Sequence, residues 1–152
     1  MNSYENRPTI IVVNGTSGSG KTDFAEFLDQ NLDAKTALFS EDDFFYNHEG
    51  DYIYDHSLLD NARQLAIDNL SAFLEQHPNG VGIYHGVVEK QWQWQRFCQL
   101  TVFHGATMNT MVLENRHGNS SRHPVPVQDL LRQQQAIEDN LRLLPSLSNT
   151  AN

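Results

Sequence analysis

The chain has one cysteine, Cys98, in 152 residues. No internal disulfide can close, so a reducing cytoplasm is the expected setting. Cys98 lies in an aromatic, polar segment without a nucleophile motif and reads as a filler residue. Only three lysines occur (Lys21, Lys35 and Lys90), and the formal net charge is -9. Long nucleic-acid tracts are met by broad basic surfaces, and this chain has no such run, which argues against duplex binding while leaving room for a local basic groove. No apolar stretch approaches the length of a membrane span. Met1–Arg7 lacks the charged start and apolar run of a signal peptide. The seven histidines (48, 56, 77, 85, 104, 117 and 123) show no close ligand spacing and have no cysteine partner, so zinc is not expected. Internal repeats and low-complexity linkers are also missing, and residues 1–152 read as a single domain.

What is present is concentrated in one octet. Gly15-Thr16-Ser17-Gly18-Ser19-Gly20-Lys21-Thr22 is a complete phosphate-binding P-loop. It follows the apolar run Ile10–Val13 and precedes the helical pattern Phe24, Phe27, Leu28, the strand–loop–helix context such a motif requires. The glycines let the backbone wrap tightly, so that successive N–H groups face phosphate oxygens. The helix that starts near Lys21 adds its positive end. Lys21 is placed to reach the β- and γ-phosphates, and the Thr22 hydroxyl to sit on Mg²⁺. A nucleoside triphosphate, ATP with Mg²⁺, is the implied ligand.

Periodicity predicts strands at Thr9–Asn14, Lys35–Ser40, Val81–His85 and Leu100–His104. It predicts helices at Thr22–Leu32, from a Ser57 cap to about Gln76, at Gln91–Gln99, at Thr107–Arg116, and from Pro126 to about Leu144, with Pro145 as the stop. The expected inner face of the second helix is Leu58, Leu59, Ala62, Leu65, Ala66, Leu70, Phe73 and Leu74. This alternation implies an α/β, three-layer P-loop NTPase fold, with a central parallel sheet of about four or five strands and helices on both faces.

The second informative stretch is Phe39-Ser40-Glu41-Asp42-Asp43-Phe44-Phe45-Tyr46, which begins at the carboxyl end of a strand. Open α/β sheets gather ligands there. Of two adjacent carboxylates, Asp42 can accept the proton of an attacking hydroxyl, and Asp43 can order water around Mg²⁺. The alternative is a helix cap followed by core aromatics. Phe44, Phe45, Tyr46, Tyr52 and Tyr54 offer a slot for a flat acceptor. Tyr84, Trp92, Trp94 and Phe97 read as core packing before base stacking.

Asp42-Asp43-Phe44-Phe45 after a short strand resembles uridine kinase and nicotinamide riboside kinase. The stretch Glu49-Gly50-Asp51-Tyr52-Ile53-Tyr54, followed by a long helix, is similar to the phage-type polynucleotide 5′-kinases and their animal P-loop relatives. So is Arg116, a polar lid loop at about 117–125 and a Val125-Pro126 helix start. The resemblance runs from about Ile10 to Leu141. It implies a kinase that transfers the γ-phosphoryl group of ATP to a hydroxyl: a polynucleotide 5′-end (short or single-stranded, given the charge), a modified base, a nucleoside or another small molecule. It makes Asp42 the general base and Arg116 the lid cation at the transferring group, with Arg122 of the same loop as a second nucleotide contact. Two positions depart from the pattern. Phe45 or Tyr46 stands where phage-type enzymes have an arginine for the acceptor phosphate, and His85-Gly86-Val87-Val88 replaces an Asp-Thr-Asn-like run. The second departure motivates an alternative, a nucleotide-binding module with weakened catalysis or a slow NTPase acting through a protein partner.

Overall fold

The computed structural model describes residues 6–114 and 127–149, with 140–149 given by their backbone path alone. In chain order the regular elements are β1 (Thr9–Gly15), α1 (Lys21–Asn31), β2 (Thr36–Phe39), α2 (Leu59–Gln76), β3 (Val81–Gly86), α3 (Gln91–His104), β4 (Thr107–Leu113) and α4 (Val127–Asn149). Single 3₁₀ turns lie at Glu41–Phe45 and His56–Leu58.

β1 is a run of β-branched residues buried over nearly its whole length, as a strand covered on both faces must be. It pairs in parallel with β3 and with β4, Thr9 standing opposite both Val81 and Thr107. β2 extends the sheet beyond β3, giving the order β2-β3-β1-β4. Alternate residues of β1 feed separate cores. Ile10 and Val12 pack with Leu70, Leu74, Tyr84, Phe97 and Leu100 under α2 and α3. Ile11 and Val13 pack with Ala25 and Ile83, against Phe24 and Leu28 of α1. The chain leaves β1 toward β2 on one side and leaves β3 toward β4 on the other, so a topological switch point lies between their carboxyl ends.

Several boundaries differ from the sequence expectations. Residues Leu100–His104, expected as a strand, are the last turns of α3, and Thr107–Leu113, expected as helix, is β4. Gly105 explains the switch: it caps α3 at φ 62 and accommodates the left-handed turn that ends the helix. Thr107, Asn109 and Thr110 have poor helix propensity, and the chain instead gains seven residues of ladder against β1. His104, now in the last turn of α3, is a satisfied polar residue, paired with the Ser71 hydroxyl of α2 at 2.9 Å. Ser57 is not the cap of α2. Asp55 caps the preceding 3₁₀ turn by accepting from the Ser57 N–H, and α2 follows it. Leu58 and Leu65 are exposed rather than on the inner face, which includes Arg63 and Ile67 instead. α4 continues past Pro145 to Asn149. An interior proline removes one backbone donor and bends a helix, without having to end it.

Tyr84 and Phe97 are fully buried in an edge-to-face pair 4.9 Å apart, and Trp92 and Trp94 pack at the edge of the same core, so these aromatics are packing residues. Gly82 lies beneath α2, where a Cβ would collide with the Leu70 side chain. Among the described residues, no helix is long and apolar enough to cross a membrane.

Candidate active site

The P-loop wraps from the end of β1 into α1. Gly18 and Gly20 take φ values of 83 and 92, the left-handed region in which glycine is the unstrained residue. Gly15 is pressed against the end of β4, and a Cβ there would stand 2.6 Å from the Leu113 carbonyl. Lys21 folds back over the loop and donates to the Thr16 carbonyl at 2.7 Å. Burial lowers the Lys21 ammonium to about 8, with Glu41 and Asp42 acting in the opposite direction. Among the described residues Lys21 makes no ion pair. A desolvated ammonium at a helix start, inside a loop of left-handed glycines, fits a phosphate ligand.

Two side chains from elsewhere reach this loop. Asn14 accepts from the N–H groups of Gly15 and Val88, both at 2.8 Å, and donates to the Val88 carbonyl at 3.1 Å, which ties the loop entry to the segment after β3. Gln133 of α4 accepts from the Ser17 N–H at 3.1 Å and from the Ser17 hydroxyl at 3.3 Å.

Thr22 opens toward β3, where its hydroxyl lies 3.4 Å from Nδ1 of His85, a buried side chain. Among the described residues no group of three His, Cys, Asp or Glu side chains is arranged to hold a metal. The Thr22 hydroxyl is a hard oxygen donor of the kind that a Mg²⁺ ion carried in on triphosphate oxygens takes, whereas the His85 nitrogen beside it is not.

The acid segment forms the adjoining wall. Ser40 caps its 3₁₀ turn, its hydroxyl accepting from the Asp42 N–H at 3.2 Å. Asp42 Oδ1 accepts from the Tyr52 hydroxyl at 3.1 Å, while Asp43 is exposed. The two carboxylates that the sequence placed side by side therefore face different surroundings. Burial, then the charge of Asp42, hold the Tyr52 phenol well above its ordinary value. Phe45 is the buried hub of the aromatic group, 5.0 Å from Tyr54 and 6.1 Å from Tyr52 between ring centroids. These rings pack on one another, where the sequence suggested an open slot.

Behind the wall stands a group that the sequence reading missed. Arg63 of α2 is 1% exposed. Its Nε donates to Glu41 at 2.7 Å, and its Nη2 donates to Glu89 at 3.0 Å and to the Val87 carbonyl at 3.2 Å. Glu41 also accepts from the Val87 N–H at 3.1 Å, and Arg132 of α4 pairs with Glu89. Burial pushes Glu41 upward, and Arg63 opposes it. The signal was available: Leu59, Arg63 and Ile67 stand at four-residue spacing, which puts a guanidinium in an apolar register. Gln133 likewise sits between Leu130 and Ile137 on the inner stripe of α4.

Of the residues proposed from sequence, Gly15 to Thr22 and Asp42 come together at the carboxyl ends of β1 and β2. Arg116, Arg122 and the 117–125 lid lie outside the described residues.

No family model matches the chain. Over 61 residues it is 34% identical to a uridine kinase of Ligilactobacillus salivarius strain UCC118, a match that covers 40% of this chain and 29% of that protein. It superposes on a chain of the Pnkp1/Rnl/Hen1 complex with a TM-score of 0.58 at 19% identity, over 87% of this chain and 40% of that one. The Mycobacterium tuberculosis APS kinase CysC, in complex with AMPPNP and APS, gives a TM-score of 0.55 at 14% identity, over 84% of this chain and 68% of that one. The chain thus spans less than half the length of the first two, and at the identities of the solved structures the likeness is one of fold. With its P-loop, parallel sheet and helical layers, the chain has the α/β P-loop NTPase fold and resembles the P-loop kinases.

Proposed function

We propose that the chain is an ATP-dependent kinase that transfers a γ-phosphoryl group to a hydroxyl acceptor. The observation that carries the reading is geometric: the P-loop closes on left-handed Gly18 and Gly20 with Lys21 folded over it, and the Ser40-capped turn that carries Asp42 leaves the same carboxyl edge of the sheet. The uridine kinase and the APS kinase complex with AMPPNP among the similar proteins support the choice of ATP.

In this mechanism the P-loop N–H groups and Lys21 hold the triphosphate. The acceptor hydroxyl gives its proton to the Asp42 carboxylate as its oxygen bonds to the γ-phosphorus. The bond from that phosphorus to the β–γ bridging oxygen breaks, and ADP leaves. Tyr52, donating to Oδ1, orients Asp42 and leaves Oδ2 for the proton. Mg²⁺, where bound, supplies charge neutralisation at the phosphates, and Thr22 is the residue placed to hold it, with Asp43 acting through water. Arg116 and Arg122 are assigned to the lid by resemblance. The acceptor class implied by that resemblance is a polynucleotide 5′-end, a modified base, a nucleoside or a similar small molecule, and a cytoplasmic setting is part of the same proposal.

The test is transfer of label from γ-labelled ATP to a panel of oligonucleotides, nucleosides and sugars, with Asp42→Ala alongside. Transfer by the wild type, lost in Asp42→Ala with ATP binding retained, is the expected result. Full activity in Asp42→Ala would remove the mechanism. A second reading, a nucleotide-binding module with weakened catalysis, is favoured by His85 beside Thr22. ATP binding without transfer to any acceptor would select it.

A further inference from the structure

Thr22 and His85 meet where the P-loop enters α1. The register of β3 sets His85 opposite Val13 of β1, one pair before Gly86 and Asn14, at the carboxyl edge of the sheet. The side chain is buried, and Nδ1 is the nitrogen that faces the Thr22 hydroxyl, at 3.4 Å. Bonds from one divalent cation to an oxygen and to an imidazole nitrogen are about 2.0–2.2 Å long, so donors up to roughly 4 Å apart can share one ion. The Thr22–His85 separation lies within that span.

The end of β3 offers no carboxylate for the same place. Residues 85–88 carry one side-chain donor between them, the imidazole, because Gly86 has no side chain and Val87 and Val88 are apolar. The acid packed against Gly86 is Glu41, and both of its oxygens are engaged: Oε1 accepts from the Val87 N–H and Oε2 from Arg63. A cation carried in on a triphosphate and held by Thr22 therefore finds a nitrogen where Mg²⁺ favours oxygen. Imidazole suits the borderline first-row cations instead, and affinity for such a site rises from Mn²⁺ through Co²⁺ to Ni²⁺. Among the described residues no three His, Cys, Asp or Glu side chains are grouped to hold a metal, so the remaining ligands have to come from the nucleotide and from water.

We infer that the cation accompanying the nucleotide is a borderline transition-metal ion bound by Thr22 Oγ1 and His85 Nδ1, and that His85 sets its preference over Mg²⁺. The inference rests on the triphosphate-binding part of the kinase reading and sharpens its cofactor.

The test is calorimetric titration of AMPPNP into the full chain with saturating Mg²⁺, Mn²⁺ or Co²⁺ in turn. Affinity should rise in that order, with the Co²⁺ complex at least tenfold tighter than the Mg²⁺ complex. His85→Asp, which puts a carboxylate at the position, should narrow that ratio at least threefold by tightening the Mg²⁺ complex. A second measurement needs the wild type alone. Pulsed EPR of the chain carrying isotopically labelled histidine, with Mn²⁺ and the methylene analogue AMPPCP, should show a histidine nitrogen coupled to the ion. Equal affinities for the three complexes, a ratio unmoved by His85→Asp, or Mn²⁺ without histidine coupling would overturn the inference. Both measurements read binding without transfer, so the two readings fail separately. Transfer with Mg²⁺ alongside equal affinities would keep the kinase and remove this assignment. Histidine coupling and a cation preference without transfer to any acceptor would keep the assignment and remove the kinase.

Discussion

Gln133 of α4 and Ser17 of the P-loop are joined by two hydrogen bonds, from the Ser17 N–H and from its hydroxyl, to one carboxamide oxygen. A P-loop otherwise turns such donors toward phosphate. An anionic phosphate oxygen makes a stronger bond than a neutral carboxamide, so nucleotide should displace Gln133. In Gln133→Ala the Ser17 amide should exchange faster with solvent in the free protein. The variant should also bind ATP more tightly, by roughly two- to tenfold for a competing hydrogen bond of about 0.5–1.5 kcal/mol. Hydrogen exchange and calorimetry read the two effects, and an unchanged affinity would mean that the contact does not compete.

Lys21 sets a pH dependence. Its folded-state value of about 8 lies below the ordinary 10.5. Between the two, the unfolded chain carries a proton that the folded chain lacks, so this group adds stability as pH rises from about 8 to 10.5 and opposes folding below 8. Lys21→Met should therefore raise Tm at pH 7 and flatten the rise above pH 8, while abolishing ATP binding. Scanning calorimetry across pH 6–10 measures both slopes.

Removing Arg63 leaves Glu41 buried without its guanidinium and Glu89 with Arg132 alone. Arg63→Met should lose about 3–5 kcal/mol of stability. The loss should be smaller at pH 5 than at pH 7, because the stranded carboxylates can then take up protons. Arg63→Lys should rescue little, since one ammonium cannot fork to both acids. Urea unfolding at the two pH values supplies the comparison.

Tyr52 donates to Asp42 and is held protonated well past neutral pH. Tyr52→Phe should lower kcat for phosphoryl transfer about three- to tenfold, for a lost bond of about 0.5–1.5 kcal/mol, and leave the KM for ATP unchanged. A rise in that KM alone would place the hydroxyl on the nucleotide side instead.

Gly105 adopts a left-handed conformation at the end of α3. A Cβ there meets open space, so Gly105→Ala isolates the backbone term, about 1–2 kcal/mol. The expected fall in Tm is about 2–4 °C per kcal/mol in a chain of this size.

The phosphate end of the site was readable in the sequence because its chemistry is local: eight consecutive residues hold the loop, with a strand before it and a helix after it. Asp42 stood out as a candidate for the same reason, within a local run of acids after a short strand. The strand at Thr107–Leu113 was not, because Met108, Met111 and Val112 suit either period, and only pairing with β1, about a hundred residues earlier, decides between them. Arg63 and Gln133 escaped because an inner helical stripe is traced by its apolar residues alone. Their partners, Glu41, Glu89 and Ser17, are remote in sequence, and no local pattern announces them.

Arg63 reaches back 22 residues to Glu41 and forward 26 to Glu89. That reach limits how the molecule can be recombined. A chimera that exchanges the acid segment without α2, or α2 without the stretch after β3, separates a buried cation from one of its counter-ions. Crossovers between Glu41 and Glu89 should therefore be poorly tolerated, and the whole interval should be transplanted as one cassette.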